Sequence, residues 1–271
     1  MTPRELLNAG QLDEAVQALI TQVKAKPADG SLRIFLFELL CFTGDLDRAE
    51  KQLEVVATQA DGVGAALAVQ VYRDLLAAER VRRQVFHGAA LPKFLLPPPA
   101  YIDRYVLLVK TLAQAPKDAV AMLPEAEEQF PRLPGRLGDR QFTSLRDADD
   151  RVAPVLELLH GANYVWLPLE QIRRIQVTAP RSLRDLVWSH ARIETVEESI
   201  GDVFLPALYV DSASHTDPQV RLGRMTAWEA VEDELVTGAG RKVFLLDDDE
   251  VSVLEMHDLQ LVSNAGTEGV A

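Results

Sequence analysis

Apolar residues recur at helical spacing through the N-terminal half of the chain. The stretch GQLDEA at positions 10–15 returns as GDLDRA at positions 44–49, an offset of 34 residues. After each glycine the apolar residues share one helix face, and a small residue, Ala15 or Ala49, stands where two helices must approach closely. The pattern predicts two units, each of two antiparallel helices joined at the glycine.

A 34-residue period of this kind is typical of tetratricopeptide repeats. Two units are too few for a long superhelix, because each repeat buries its apolar face against the next. A third periodic stretch, Ala65–Phe86, lacks a turn glycine and predicts one long helix. Arg80, Arg82 and Arg83 fall in its last turns, where we expect a solvated face that interacts favourably with the helix C-terminus.

The pattern changes along FPRLPGRLGD, where helical periodicity ends near residue 140. Before it, four prolines in His87–Tyr101 predict a stiff connector to helices at 102–114 and 117–129. Beyond it, short apolar runs alternate with turns, the pattern of strands. We expect those strands at Val155–His160, Tyr164–Leu167, Ile172–Val177, Ala191–Val196, Phe204–Val210, Met225–Ala230, Lys242–Leu246 and Val251–Met256.

Two local features complete the predicted fold. Ser182 and Asp185 have the spacing of a capping box, which predicts a short helix at Leu183–Val187. The four acids Asp247–Glu250 lie between two apolar runs, which favours a hairpin tip over a metal site. The fold class is therefore α+β in two domains, with tetratricopeptide-like helical repeats at 1–140 and a β-rich α+β domain at 141–271.

Charge is distributed unevenly along the chain. Residues 1–140 carry 17 Lys and Arg against 18 Asp and Glu, whereas residues 141–271 carry 11 against 23. An acidic surface repels phosphate backbones and anionic lipids, so neither nucleic acid nor membrane is an expected partner. No apolar segment approaches the roughly 20 residues needed to cross a bilayer, and the single Cys41 fits a reducing compartment. We expect a cytoplasmic protein.

The usual signatures of catalysis and of cofactor binding are missing from the sequence. The five histidines lack the partner spacing of a zinc site, so neither a metal nor another cofactor is expected. One cluster stays open to two interpretations, because Asp147, Asp149, Asp150 and Arg151 stand where a loop enters a strand. As a hydrolase, these carboxylates would act as general acid and base beside an aromatic pocket. As structure, they form an arginine–carboxylate network, the interpretation we favour.

Three longer runs around this cluster resemble the ImpE family, also called SciE or TagJ. They are DADDRVAPVLELLHGANYVWLPLEQIRRI, PRSLRDLVW and TAWEAVEDELVTGAGRKVFLLDDDE, and the helical run RDLLAAERVRRQVF is similar to that family's repeat region. The resemblance implies a non-enzymatic adaptor of a bacterial type VI secretion system. Its implied partners are the N-terminal helix of the small contractile-sheath subunit and the ClpV unfoldase, a ClpV-type ATPase. Its implied fold is a helical repeat-like domain followed by an α+β domain with a barrel-like sheet.

The residues that match the family pattern divide into two predicted roles. The aromatic residues Tyr164, Trp166 and Trp188 are candidates for partner binding. The charged residues form a structural ion-pair network, with no catalytic or metal-binding residue predicted. A generic scaffold or chaperone-like adaptor outside secretion is the main alternative. The charged residues of the network are Asp149, Arg151, Arg184 and Asp185.

Overall fold

A computed structural model describes residues 1–59 and 62–262 of the chain. The N-terminal part is helical, and the change to strands occurs within the segment that was expected to end the helical periodicity. Its helices are α1 Pro3–Asn8, α2 Leu12–Ala25, α3 Gly30–Phe42, α4 Leu46–Gln59, α5 Val63–Phe86, α6 Ile102–Leu112 and α7 Pro116–Glu128.

The repeated glycines end the first helix of each predicted unit. Gly10 (φ +82°) and Gly44 (φ +73°) adopt the left-handed conformation, which glycine reaches without a Cβ penalty. In both units the two amide groups that begin at this glycine donate to carbonyls of the last helical turn, the Schellman arrangement. Ala15 and Ala49 are fully buried between helices. The paired helices α1–α2 and α3–α4 are therefore the two repeat units that the 34-residue offset predicted.

The long third helix is also present. α5 runs for 24 residues without interruption. The proline-containing connector that follows crosses to the sheet, where the backbone amide of Lys93 donates to the Tyr164 carbonyl at 3.1 Å. The amide of Trp166 donates back to the Lys93 carbonyl at 2.9 Å, so the connector covers a strand edge.

The C-terminal part is built from antiparallel strands and short helical turns. The main sheet has eight strands in the order β2-β1-β13-β6-β7-β8-β4-β5, and smaller sheets join β10 to β9 and β12 to β11 and β3. The strands are β1 Gly135–Leu137, β2 Arg140–Phe142, β3 Leu145–Asp147, β4 Val155–His160, β5 Asn163–Pro168, β6 Ile172–Val177, β7 Trp188–Thr195, β8 Ser199–Pro206, β9 Thr226–Val231, β10 Leu235–Gly240, β11 Val243–Leu246, β12 Asp249–Ser252 and β13 Leu259–Leu261.

The main sheet is open, so the expectation of a barrel-like sheet is wrong. Its outer strands β2 and β5 do not pair with each other in the described part of the chain. The free side of β5 receives the connector at Lys93 instead of another strand of the sheet. Closure needs the two outer strands to meet, and here one of those edges is already occupied.

Most predicted strands lie in the structure, with shifted ends. Asp247 (φ +56°) begins the tight turn between β11 and β12, which confirms the hairpin expected at Asp247–Glu250. The short helix is present as a 3-10 helix at Leu183–Leu186. The prediction missed β1, β2, β3, β10 and β13, which are short or, in LVTGAG, contain two glycines.

One hydrophobic cluster is shared by the helices and the sheet. It joins Leu39 of α3 and Leu76 of α5 to Trp166 of β5 and Trp188 of β7, all of them buried. A second cluster lies within the sheet part itself. The division into domains at 1–140 and 141–271 stays a prediction, and residues 263–271 of the second domain lie outside the described residues.

Candidate partner-binding site

A chain of buried charges crosses from the helices into the sheet. Arg82 of α5 donates from Nε to Glu157 Oε1 of β4 at 2.7 Å, and Lys242 Nζ lies 2.6 Å from the second Glu157 oxygen. Lys242 also binds Asp147 of β3 at 2.5 Å. All four residues are at most 2% exposed, so the expectation of a solvated Arg82 is wrong. These two cations and two carboxylates compensate one another in the interior, and a third buried carboxylate, Glu79 of α5, also pairs with Arg82 at 3.4 Å.

Electrostatics favour the ionised forms of Glu157 and Lys242, whereas burial raises the pKa of Asp147 to about 6 although Lys242 opposes that shift. Burial opposes ionisation of Glu157, but Arg82 and Lys242 outweigh it and hold the pKa of that carboxyl well below its ordinary 4.5. Burial likewise opposes the charge of Lys242, and the two carboxylates reverse that effect and raise its pKa. Burial of such an ion pair carries a large desolvation penalty. Removal of one partner strongly destabilises the folded protein, because it leaves an uncompensated buried charge.

The predicted aromatic residues lie in the interior. Tyr164 donates from its hydroxyl to Glu157 Oε1 at 2.7 Å, and Trp166 Nε1 donates to that hydroxyl at 2.6 Å. Trp188 is 2% exposed and borders a small cavity of about 20 Å³. These side chains present no surface to a partner, so we correct their predicted partner-binding role to one in the core, where Tyr164 and Trp166 hydrogen-bond and Trp188 packs with its Nε1 unpaired in residues 1–59 and 62–262.

The predicted ion-pair network divides into two separate groups. Arg151 binds Asp149 at 2.7 Å and Asp211 at 2.8 Å, and its guanidinium lies over the Phe86 ring. Asp149 is fully buried and also accepts the amide of Gly238 at 3.0 Å. This group links the loop before β4 to α5 and β10.

The other predicted pair does not form. Asp185 accepts the amides of Arg181 and Ser182 at 2.8 Å each and so caps its own short helix. Arg184 instead reaches the helical part, where its guanidinium lies 4.7 Å from the Tyr72 ring centroid. It approaches Glu38 of α3 to 3.7 Å. The Arg184–Asp185 pair predicted from adjacency is therefore wrong.

Arg184 stands at the end of an apolar groove between α3, α4 and α5. The groove encloses about 150 Å³, and every other lining residue within the described part of the chain is apolar or aromatic. The start of α5 is uncharged from Val63 to Tyr72, and it exposes Leu67 (62%) and Val71 (40%). The lining consists of Ile34, Phe37, Leu53, Val56, Ala65, Ala68, Val69, Tyr72 and Arg184.

The loop that was open to a hydrolase interpretation has its carboxylates engaged by protein groups. Asp147 accepts the Tyr209 hydroxyl at 2.9 Å and the Asp149 amide at 3.0 Å besides Lys242. Asp150 pairs with Arg146 and accepts the amide of Val236. Within residues 1–59 and 62–262, no cluster of three or more His, Cys, Asp or Glu could hold a metal ion. Nor does any helix of that part have the length and apolar character to span a membrane.

Of the four buried charges that connect α5 to the sheet, only Asp147 was identified from the sequence. Arg82 was assigned to a solvated face, and Glu157 and Lys242 were included only as parts of apolar strands. A signal was present, because Glu157 is the one charge within the apolar run VLELL. A lone carboxylate in a strand buried on both faces requires a cation nearby.

Fold and groove together define a helical-repeat protein packed on an open antiparallel sheet, with a concave apolar face. The chain belongs to the ImpE family, which confirms the resemblance found in the sequence. The family's sequence model, described as ImpE protein, matches residues 139–260. The type VI secretion system accessory component TagJ of Pseudomonas aeruginosa is 37% identical over 262 residues, which cover 96% of this chain and 90% of that protein.

A solved structure has the same fold over nearly the full length. The crystal structure of protein VPA1032 from Vibrio parahaemolyticus aligns with a TM-score of 0.88 at 26% identity. The alignment covers 96% of this chain and 97% of the other.

Proposed function

We propose that this protein is a non-enzymatic cytoplasmic adaptor of a bacterial type VI secretion system. It binds the N-terminal helix of the small contractile-sheath subunit and associates with a ClpV-type unfoldase. Membership of the ImpE family and the accessory role named for the 37% identical TagJ support this assignment. The observation that carries it is the apolar groove between α3, α4 and α5.

The groove has the character that helix recognition requires. An amphipathic helix binds through apolar side chains at i, i+3, i+4 and i+7, which enter a hydrophobic groove. Ile34 of α3 is 36% exposed and lines the groove, so part of its apolar wall is open to a partner. A contiguous, partly exposed apolar surface of this kind is typical of an interaction site.

Charge has a secondary part in this mechanism. The excess of 12 acidic charges in residues 141–271 attracts basic residues that flank the bound helix. Such attraction at the rim accelerates association and is screened by salt, whereas apolar contacts in the groove determine how long the complex lasts. Retained affinity at high salt is therefore the expected signature of the groove.

Calorimetry with a synthetic peptide of the sheath-subunit helix tests the proposal. At about 0.05 and 0.5 M salt, we expect binding with a negative heat-capacity change and similar affinity. Ile34→Ser removes an exposed apolar side chain that lines the groove and is expected to weaken binding about tenfold, or about 1.4 kcal/mol. Leu107→Ser on α6 is the matched control, because that leucine is also exposed (52%) and lies outside the groove.

The alternatives give different results. Absence of binding at both salt concentrations, with the protein folded, would refute the proposed adaptor mechanism. A pull-down from the native cytoplasm should recover the sheath subunit and the unfoldase, whereas a generic scaffold would recover unrelated proteins. A hydrolase screen that detects turnover abolished by Asp149→Asn would support the enzyme interpretation instead.

A further inference from the structure

We propose that Arg184 is a specificity-determining residue of the groove, where its guanidinium binds one carboxylate of the docked helix. This inference rests on the proposed function and adds the chemistry of the bound segment. The occupant is then an amphipathic helix whose apolar face ends in an Asp or Glu. The site is composite, because α3, α4 and α5 supply the apolar wall and the sheet part supplies the cation.

The guanidinium is held in place without being satisfied. It stacks on Tyr72, 4.7 Å from the ring centroid, which limits its conformational freedom. It donates no hydrogen bond to any group in residues 1–59 and 62–262, and its buried Nε lacks a partner there. The side chain remains 31% exposed on its open side. An arginine with a free planar fork matches a carboxylate, which accepts two parallel N–H···O bonds.

The carboxylates already nearby do not occupy this fork. Glu38 forms a long ion pair with Arg184, 3.7 Å from Oε1 to Nη1, which is beyond hydrogen-bond distance and leaves the guanidinium N–H groups without an acceptor in the described part of the chain. Burial raises the pKa of Glu38 although Arg184 opposes that shift. Asp185 is engaged by two backbone amides of its own turn. A carboxylate carried by the docked helix would supply the hydrogen bonds that these two groups do not.

The position of Arg184 in the groove makes its contact with a bound carboxylate selective. Among the described residues that line the groove, Arg184 alone is charged and the others are apolar or aromatic, so it fixes the register of a helix whose other anchors are interchangeable. A helix bound in a shifted register would leave the guanidinium covered by apolar side chains without a partner, and that desolvation is costly.

The test measures the affinity of the sheath-helix peptide for wild type, Arg184→Ala and Arg184→Lys. Arg184→Ala should weaken Kd about tenfold, and Arg184→Lys should recover part of the loss because lysine keeps the charge without the fork. Arg181→Ala is the control, because it removes the same charge from the same segment outside the groove. It should change Kd less than twofold.

A scan of the peptide keeps the inference testable if an Arg184 variant folds poorly. Each Asp or Glu of the peptide is replaced in turn by Asn or Gln and measured against wild-type protein. One replacement should weaken binding about tenfold, and that loss should disappear in Arg184→Ala, since the two changes remove one interaction.

The outcomes separate the two proposals. If the peptide binds wild type and depends on Ile34, but neither Arg184 nor any peptide carboxylate affects Kd, the role of Arg184 is refuted and the proposed function stands. If the peptide does not bind the folded wild-type protein at all, the proposed function fails and the role of Arg184 fails with it.

Discussion

Loss of Arg82 is the most direct test of the connection between helices and sheet. Arg82→Met keeps the length of the aliphatic stem but removes the 2.7 Å bond to Glu157 and the 3.0 Å bond to the Leu208 carbonyl. Removal of one partner from a buried pair typically costs about 3–5 kcal/mol in the free energy of unfolding. Lys242 and Tyr164 still bind Glu157, so we expect the lower end, about 3 kcal/mol.

A double-mutant cycle distinguishes the pair from its surroundings. Glu157→Gln alone should also cost about 3 kcal/mol, because it leaves Arg82 and Lys242 without their shared carboxylate. The double variant should lose less than the sum of the single losses, by about 1–3 kcal/mol. Arg80→Met is the matched control, because Arg80 lies on the same helix and pairs with Asp47 and Glu50 near the surface. Its expected cost is below about 1 kcal/mol.

Urea denaturation followed by circular dichroism and tryptophan fluorescence provides the measurement. Trp166 and Trp188 report on the shared core, and circular dichroism at the helical minimum reports on the repeats. We expect the two signals to change together in wild type, because the buried charges and the core join both parts. Single losses below about 1 kcal/mol, or losses that add fully in the double variant, would refute the reasoning.

Two further predictions concern the same interior. Because the folded pKa of Glu157 is depressed, its contribution to stability is present above the ordinary pKa of 4.5 and is lost as pH falls toward the lower folded value. The difference in free energy of unfolding between wild type and Glu157→Gln should therefore be constant near pH 7 and shrink below about pH 4.5. A difference that grows as pH falls would contradict the depressed pKa. Arg151→Ala should lower stability by about 3 kcal/mol, because it leaves Asp149 buried without its cation. Thermal melting checks this value. If the variant melts at the same midpoint as wild type, the Arg151–Asp149 pair does not contribute to stability.

The proposed function places the charges and the groove in different roles. The buried chain from Arg82 to Asp147 holds the helices against the sheet. That attachment positions Arg184, a residue of the sheet part, at the end of a groove made by helices. A partner that contacts both the apolar wall and Arg184 therefore binds only when the helical part and the sheet part are packed together.

Local patterns in the sequence were enough to predict the helices, most of the longer strands and the repeat. The 34-residue offset depends on glycines that must adopt a left-handed conformation and on alanines between helices, and both requirements act within a few residues. The family likewise follows from contiguous motifs. Short strands such as β1 and β13 escaped prediction, because they are stabilised by pairing with each other across more than a hundred residues.

Only the tertiary structure decided which charges and aromatic residues are buried. Adjacency in sequence paired Arg184 with Asp185, whereas in the fold Arg184 faces α3 and α5. Arg82 and Glu157 are 75 positions apart, yet they form the innermost bond between the two parts. The physical reason is that a buried charge must be compensated by whichever opposite charge the packing brings within hydrogen-bond distance, and periodicity carries no information about that distance.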